Sequence, residues 1–253
     1  MGGYKRITLN WMSYHLAPKH LIRLYAGCSV TLPKRRTLPL NSRRHDEHPG
    51  FLFVLEGIDG AGKTAVVESL VELLSRNYDV VRLREPTNES QWGLEIRERS
   101  PKGELTPDEE LNLFHLDRQW HVENRIRPAL EAGKLVLMDR YFFASGAYQS
   151  VSTGIPWKEI LLRNREEIGA PEPNIIFILD VSVEVGLERA LQRNGTKNEQ
   201  FEQVDRLIKV REAYLAMTQE DDGMYVVVDA SKTLEEVTSE VYSTIVHYAK
   251  NQK

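Results

Sequence analysis

The stretch FVLEGIDGAGKT, Phe53 to Thr64, limits what this 253-residue chain can fold into more than any other. An apolar run from Phe51 to Leu55 leads into Gly57, Gly60, Ala61, Gly62, Lys63 and Thr64, and the amphipathic segment AVVESLVELL follows. The spacing G-x-x-x-x-G-K-[ST] therefore falls between a strand and a helix, the context in which it forms a phosphate-binding loop. Glycines let the backbone curl with its N–H groups inward, and the helix beyond adds positive dipole at its start. Lys63 is placed to reach the terminal phosphates of a nucleoside triphosphate, and the Thr64 hydroxyl to ligate Mg²⁺. A glycine-rich turn without a ligand is the alternative, and every filled motif position weighs against it.

Beyond this loop, short apolar strands alternate with helical patterns, the sign of a parallel sheet covered by helices. Strands are expected at residues 51–55, 78–84, 135–140 and 174–181 and in MYVVVDA. A short helix is expected around Trp92 to Arg99. Thr106-Pro107-Asp108-Glu109 reads as an N-cap, a proline at the first helical position and a capping glutamate, opening a long helix to about Ala132. Helices are also expected from about Ala144 and Pro156, beyond Ser182 and beyond Thr233. RNGTKNE, residues 193–199, has turn signals between two helices and is a candidate mobile lid. The expected fold is α/β: a five-stranded parallel sheet with helices on both faces, spanning residues 51–253.

Charge separates the first fifty residues from the rest. They hold 9 of the 33 Lys/Arg but 2 of the 37 Asp/Glu, so that +7 sits ahead of a remainder at −11. Prolines and paired arginines discourage regular structure there, and at most one short helix near His20 to Tyr25 is expected. Three readings stay open for this basic leader: an organellar targeting segment, a nucleic-acid or membrane-surface tail, or an inert extension. One cysteine, Cys28, excludes an intramolecular disulfide and fits a reducing compartment. No apolar run approaches the length of a membrane span. The cytoplasm is the expected location.

The loop alone says that a nucleoside triphosphate binds, and no guanine-reading N-K-x-D is present. Its company narrows the field: GIDGAGKT, then REP at Arg84 to Pro86, LFHLDRQWHV and DRYFFASGAYQ. In order and spacing these blocks resemble the thymidylate kinase family, which transfers the γ-phosphoryl group of ATP to dTMP. The resemblance covers residues 51–253 and implies ATP with Mg²⁺, small-molecule nucleotides as partners and a homodimer. Nucleic acid is not expected as a partner except through the leader.

The resemblance carries roles to individual residues. Asp59, inside the loop, holds the nucleotide sugar or positions the acceptor phosphate. Arg84, at the C-terminal end of a strand where open α/β sheets bind ligands, grips that phosphate, and the Glu85-Pro86 bond is expected to be cis. Phe114 and Arg118 share a helical face at i, i+4, one to stack on thymine and the other to donate to its O4. Arg140 clamps the phosphoryl groups, while Asp139 orients it or a Mg²⁺-bound water. Ser145 and Gln149, again i, i+4, read the pyrimidine, and Tyr148 lies along the sugar. Ala61 occupies the place where some relatives carry a transition-state arginine, so that cation is expected from the lid: Arg193 first, then Lys197, then Arg189. Asp180 is expected to be structural. A kinase for another deoxynucleotide or a deoxynucleoside, and a catalytically weak nucleotide-binding protein, are the alternatives.

Overall fold

The computed structural model describes residues 48–194 and 200–252. Three sequence expectations fall outside the described residues: the disorder of residues 1–47, the short helix near His20 to Tyr25, and residues 195–199 of the lid segment.

Five strands form one parallel sheet, as expected: β1 (Phe51–Glu56), β2 (Val80–Arg84), β3 (Leu135–Asp139), β4 (Ile175–Asp180) and β5 (Tyr225–Asp229). Their order is β2-β3-β1-β4-β5. The three inner strands are almost continuously apolar because both of their faces are covered; Leu52 to Leu55, Val136 to Met138 and Ile175 to Phe177 are fully enclosed. The outer strands, VVRLR and YVVVD, are more exposed and carry charge.

Nine α-helices are described: α1 (Lys63–Leu74), α2 (Gln91–Arg99), α3 (Pro107–His121), α4 (Arg127–Glu131), α5 (Phe142–Thr153), α6 (Trp157–Glu166), α7 (Val183–Asn194), α8 (Gln200–Glu220) and α9 (Leu234–Asn251). The chain leaves β1 toward β2 and leaves β3 toward β4. Right-handed crossovers therefore put α1 on one face and α5 on the other. Contacts agree: α1 packs with α9, and α5 with α3, α6 and α8. Neighbouring β1 and β3 thus send their connections to opposite faces, which opens a crevice at their C-terminal ends.

Local chemistry explains the helix starts. Thr106 and Thr233 each accept from the backbone N–H three residues on, while Glu109 and Glu236 reach back to the cap N–H, completing two capping boxes. Ser182 Oγ accepts from Val185 N at 3.4 Å. The long helix expected from Pro107 to Ala132 is not one α-helix: Val122–Ile126 is a π segment joining α3 to α4. Pro128 lies just inside α4, and its missing N–H removes an ordinary i→i−4 bond at the junction.

The start of α5 has no side-chain cap of its own. Glu56, fully buried at the end of β1, supplies one from a distance: Oε1 accepts from Tyr141 N at 2.7 Å and Ala144 N at 3.2 Å, and Oε2 from Tyr214 Oη at 2.8 Å. One carboxyl group thereby joins β1 to α5 and α8. Burial pushes its pKa up to about 7, against the opposing pull of Arg140 and the donated bonds. The folded state then binds a proton that the unfolded state releases near pH 4.5. The stability contributed by this group is complete below pH 4.5 and is lost as pH rises through 7. Glu56→Gln, which keeps the shape and an oxygen for the two backbone N–H groups while Tyr214 Oη turns from donor to acceptor, is expected to gain stability relative to the parent between pH 4.5 and 7, as measured by urea unfolding across that range.

Candidate active site

The loop between β1 and α1 closes on itself. Gly57, Gly60 and Gly62 have φ of 142°, 81° and 87°, values that side-chain-bearing residues rarely adopt. Lys63, 6% exposed, folds back so that Nζ donates to Gly57 O at 2.9 Å and Ile58 O at 2.8 Å. Burial, reinforced by the Arg140 charge, brings its pKa down to about 7. Thr64 Oγ1 donates to Asp139 Oδ2 at 2.6 Å, and Arg84 Nε lies 3.8 Å from the same oxygen. Loop, β2 and β3 therefore converge at one edge of the sheet.

The first turn of α7 is pressed against this loop. A Cβ on Gly60 would sit 1.9 Å from Gly186 O, and a Cβ on Gly186 2.8 Å from Asp59 O. Both residues are glycine because two backbones touch there.

Beside the loop lies a pocket of about 280 Å³, near the small end of the range for small-molecule sites. Phe114 and Arg118 line it from α3, and Ser145, Tyr148 and Gln149 from α5. Asp59 and Arg140 complete the wall nearest the phosphate loop. Arg140 ion-pairs with Asp59, stacks its guanidinium 5.1 Å from the Tyr148 ring centroid, and holds φ at 71°. It is the one non-glycine among the described residues with positive φ, and such strain gathers at functional sites. Tyr148 Oη accepts from Asp59 N at 3.0 Å and donates to Asp59 Oδ2 at 3.3 Å.

The pocket floor is a buried chain of charges. Arg118 Nε and Nη2 donate to Glu85 Oε2 at 2.8 and 2.6 Å, Nη1 donates to Asn164 Oδ1 at 2.8 Å, and Nη2 also donates to Ser145 Oγ at 3.1 Å. His121 Nδ1 lies 3.2 Å from Glu85 Oε1. Burial alone would raise the Glu85 carboxyl, but Arg118 and His121 hold it below the usual carboxylate range.

An anion cradle joined by an ion pair to a pocket with an aromatic wall and hydrogen-bonding edges suits a two-nucleotide reaction. The thymidylate kinase family model matches residues 55–241. The chain belongs to the thymidylate kinase family. It is 43% identical to a probable thymidylate kinase of Archaeoglobus fulgidus over 203 residues, covering 80% of this chain and 98% of that one. Against thymidylate kinases of Xanthomonas euvesicatoria and Staphylococcus epidermidis the identities are 38% and 36%, covering 84% and 97% of those chains.

The structure brings the expected residues together with few exceptions. Lys63, Thr64, Arg84 and Asp139 meet at the phosphate loop; Phe114, Arg118, Ser145, Tyr148 and Gln149 meet in the pocket; Asp59 and Arg140 belong to both. The Glu85-Pro86 bond is cis, as this family resemblance implies. Asp180 is bridged twice by Arg211, at 2.6 and 2.8 Å. Of the three cations expected from a lid, Arg189 donates to Ala230 O at 2.8 Å, the Arg193 side chain is not among those described, and Lys197 lies outside the described residues.

Several neighbours were not foreseen. Arg97 donates to Thr87 O at 3.0 Å and to Pro86 O, and its pKa is lowered by burial and by the Arg84 charge beside it. Arg206 and Gln203 reach the pocket from α8, and Glu110 reaches it one turn before Phe114. Spacing on α3 was the one available signal: Glu110, Phe114 and Arg118 follow each other at i, i+4 and i+8.

Two outcomes follow from this packing. Gly186→Ala is expected to weaken ATP binding about tenfold or more in a fluorescence titration, since overpacking of this kind costs about 1–3 kcal/mol. Arg118→Leu is expected to lose about 3–5 kcal/mol of stability in chemical unfolding, because it strands the Glu85 carboxylate in the interior.

Proposed function

We propose that this chain is a dTMP kinase that transfers the γ-phosphoryl group of MgATP to dTMP, giving dTDP and ADP. The observation that carries the reading is the Asp59–Arg140 pair, which belongs at once to the phosphate loop and to the pocket wall. A donor nucleotide in the loop and an acceptor in the pocket would then present their phosphates to the same guanidinium. No covalent enzyme intermediate is needed, because phosphoryl transfer depends on positioning and charge neutralisation.

The roles divide by place. The loop N–H groups and Lys63 hold the donor phosphates, Arg84 and Arg97 grip the acceptor phosphate from β2 and α2, and Arg140 sits between the two. Phe114 stacks on the base, Tyr148 lies along the sugar, and Ser145 with Gln149 reads the pyrimidine edge. Arg118 has five N–H groups and spends four bonds on protein partners, so one N–H on Nη1 is left for the base O4. Arg193 remains the first proposed lid cation and Lys197 the second, and Arg206, which lines the pocket from α8, joins them.

The residues present fit Mg²⁺. Thr64 and Asp139 offer hard oxygen ligands 2.6 Å apart, and no cluster of three or more acidic, histidine or cysteine ligands occurs among the described residues. Mg²⁺ asks for such a partial set, since it keeps waters and takes its other ligands from phosphates. When bound it neutralises charge developing on the transferred group.

Residues 1–50 are proposed as an appendage to the kinase domain at 51–253, with the cytoplasm as the site of action. No helix among the described residues is long and apolar enough to cross a membrane. A homodimer is proposed through α2 and α3, where Leu94 and Leu116 are 51% and 38% exposed on neighbouring helices.

Incubation with ATP, Mg²⁺ and each nucleoside monophosphate, with ADP measured by a coupled assay, is expected to show dTMP as the preferred acceptor and no turnover after chelation of Mg²⁺. Arg140→Ala is expected to lower kcat/KM by at least about a hundredfold, the range for loss of one charge-stabilising group. Turnover of AMP or CMP but not dTMP would remove the substrate assignment. Sedimentation velocity is expected to give a dimer, converted to monomer by Leu116→Glu.

A further inference from the structure

Glu110 is an acid in the wall of a pocket that is proposed to receive an anionic nucleotide, and the proposed reaction gives it no part. It lies in the first turns of α3 at i−4 from Phe114, half-buried. Its two oxygens have different partners: Ser100 Oγ donates to Oε1, and Gln149 Nε2 donates to Oε2 at 3.2 Å. Gln149 is 4% exposed and lines the same pocket.

We propose that Glu110 is a positioning residue that fixes the orientation of the Gln149 amide and thereby selects a base with an N3–H, as in thymine, against one with a bare N3, as in cytosine. The inference rests on the dTMP reading and deepens it.

The argument is one of donors and acceptors. A carboxylate can only accept, so the amide end that faces Glu110 must be the NH₂. The carbonyl end then turns the other way, as an acceptor toward the base. From α3, Arg118 can only donate, and Ser145 Oγ already accepts from it at 3.1 Å. Together these present a donor next to an acceptor. The imide edge of thymine is the complement, with O4 accepting and N3–H donating. Cytosine offers the reverse, an amine donor at C4 and an acceptor at N3, so Arg118 meets a donor and the Gln149 carbonyl meets a lone pair. Flipping the amide to suit cytosine would break the Gln149–Glu110 bond and aim a carbonyl at a carboxylate. Glu110 thus acts by making the wrong orientation unfavourable, the repulsive half of specificity.

Steady-state kcat/KM for dTMP and dCMP, at saturating MgATP, tests this in the full chain. Glu110→Ala is expected to lower the dTMP-to-dCMP ratio at least about tenfold, the equivalent of one lost hydrogen bond near a charge. The dCMP value should rise while that for dTMP falls, with KM for ATP unchanged. Glu110→Gln keeps a carbonyl that accepts from Gln149 Nε2 and an amide that donates to Ser100, so it is expected to restore most of the ratio. Equal loss on both nucleotides, or an unchanged ratio in Glu110→Ala, would overturn the inference and leave Glu110 as packing. A parent enzyme with no preference for dTMP over dCMP would instead overturn the dTMP reading, and this inference with it.

Discussion

The ion pair between Arg140 and Asp59 is the contact on which the rest of the site depends. Arg140 follows the last residue of β3, and Asp59 lies in the loop after β1; the two strands are adjacent and in register, with Leu55 opposite Asp139. Backbone pairing alone therefore delivers the two loops to one place, and the Arg140 N–H bonds to Leu55 O at 3.1 Å. The left-handed backbone at Arg140 then turns the side chain back toward the phosphate loop instead of into α5. A strained residue persists only where its surroundings over-determine it. Here Asp59, the Tyr148 ring and the β1 carbonyl all hold it.

Beneath that pair the site rests on buried charge. Glu56 and Glu85 are 0% and 2% exposed, and both are fully occupied, the first by two backbone N–H groups and a tyrosine, the second by Arg118 and His121. Asp117, 1% exposed, accepts from Thr87 N, Thr87 Oγ1 and Ser90 Oγ and so pins the loop after the cis Glu85-Pro86 bond. Three enclosed carboxyl groups with complete hydrogen bonding give the crevice directional walls that apolar packing would not. A satisfied network rigidifies its surroundings, whereas a broken one exposes its full desolvation penalty.

Much of this was legible in the sequence because it is local. The inner strands read as apolar runs since both faces are covered, and the capping boxes at Thr106 and Thr233 are four-residue patterns with a single geometry. The phosphate loop is likewise set by spacing within one segment, whereas Phe114 with Arg118 and Ser145 with Gln149 stood out through their resemblance to the thymidylate kinase family. What spacing cannot carry is convergence across the chain. Glu56 looks like the end of a strand until Tyr141 and Tyr214, 85 and 158 residues away, are seen to bond to it. Arg97, Glu110 and Arg206 sit in helices full of ordinary charge, and only the packing of α2, α3 and α8 around one crevice sets them apart. The π segment at Val122 to Ile126 leaves the apolar pattern almost intact, so periodicity read through it as one helix.

The charges around the phosphate loop are arranged at some expense to the fold. Lys63 is brought down to about 7 by burial and then by Arg140, and Arg97 is lowered by burial and then by Arg84, so two pairs of basic groups are held close together by the polypeptide around them. Like charges so placed raise the free energy of the folded chain, and an anion among them lowers it. That difference is the property a phosphoryl-transfer site needs. Donors already aimed at the place where charge will develop require no reorganisation when it does, and they act most strongly where water is excluded. Asp59 pairs with Arg140 and Asp139 lies beside Arg84, and each carboxylate offsets part of this repulsion. The fold thus carries an unfavourable electrostatic term that substrate phosphates relieve, and the relief is directed along the line from the loop to the pocket.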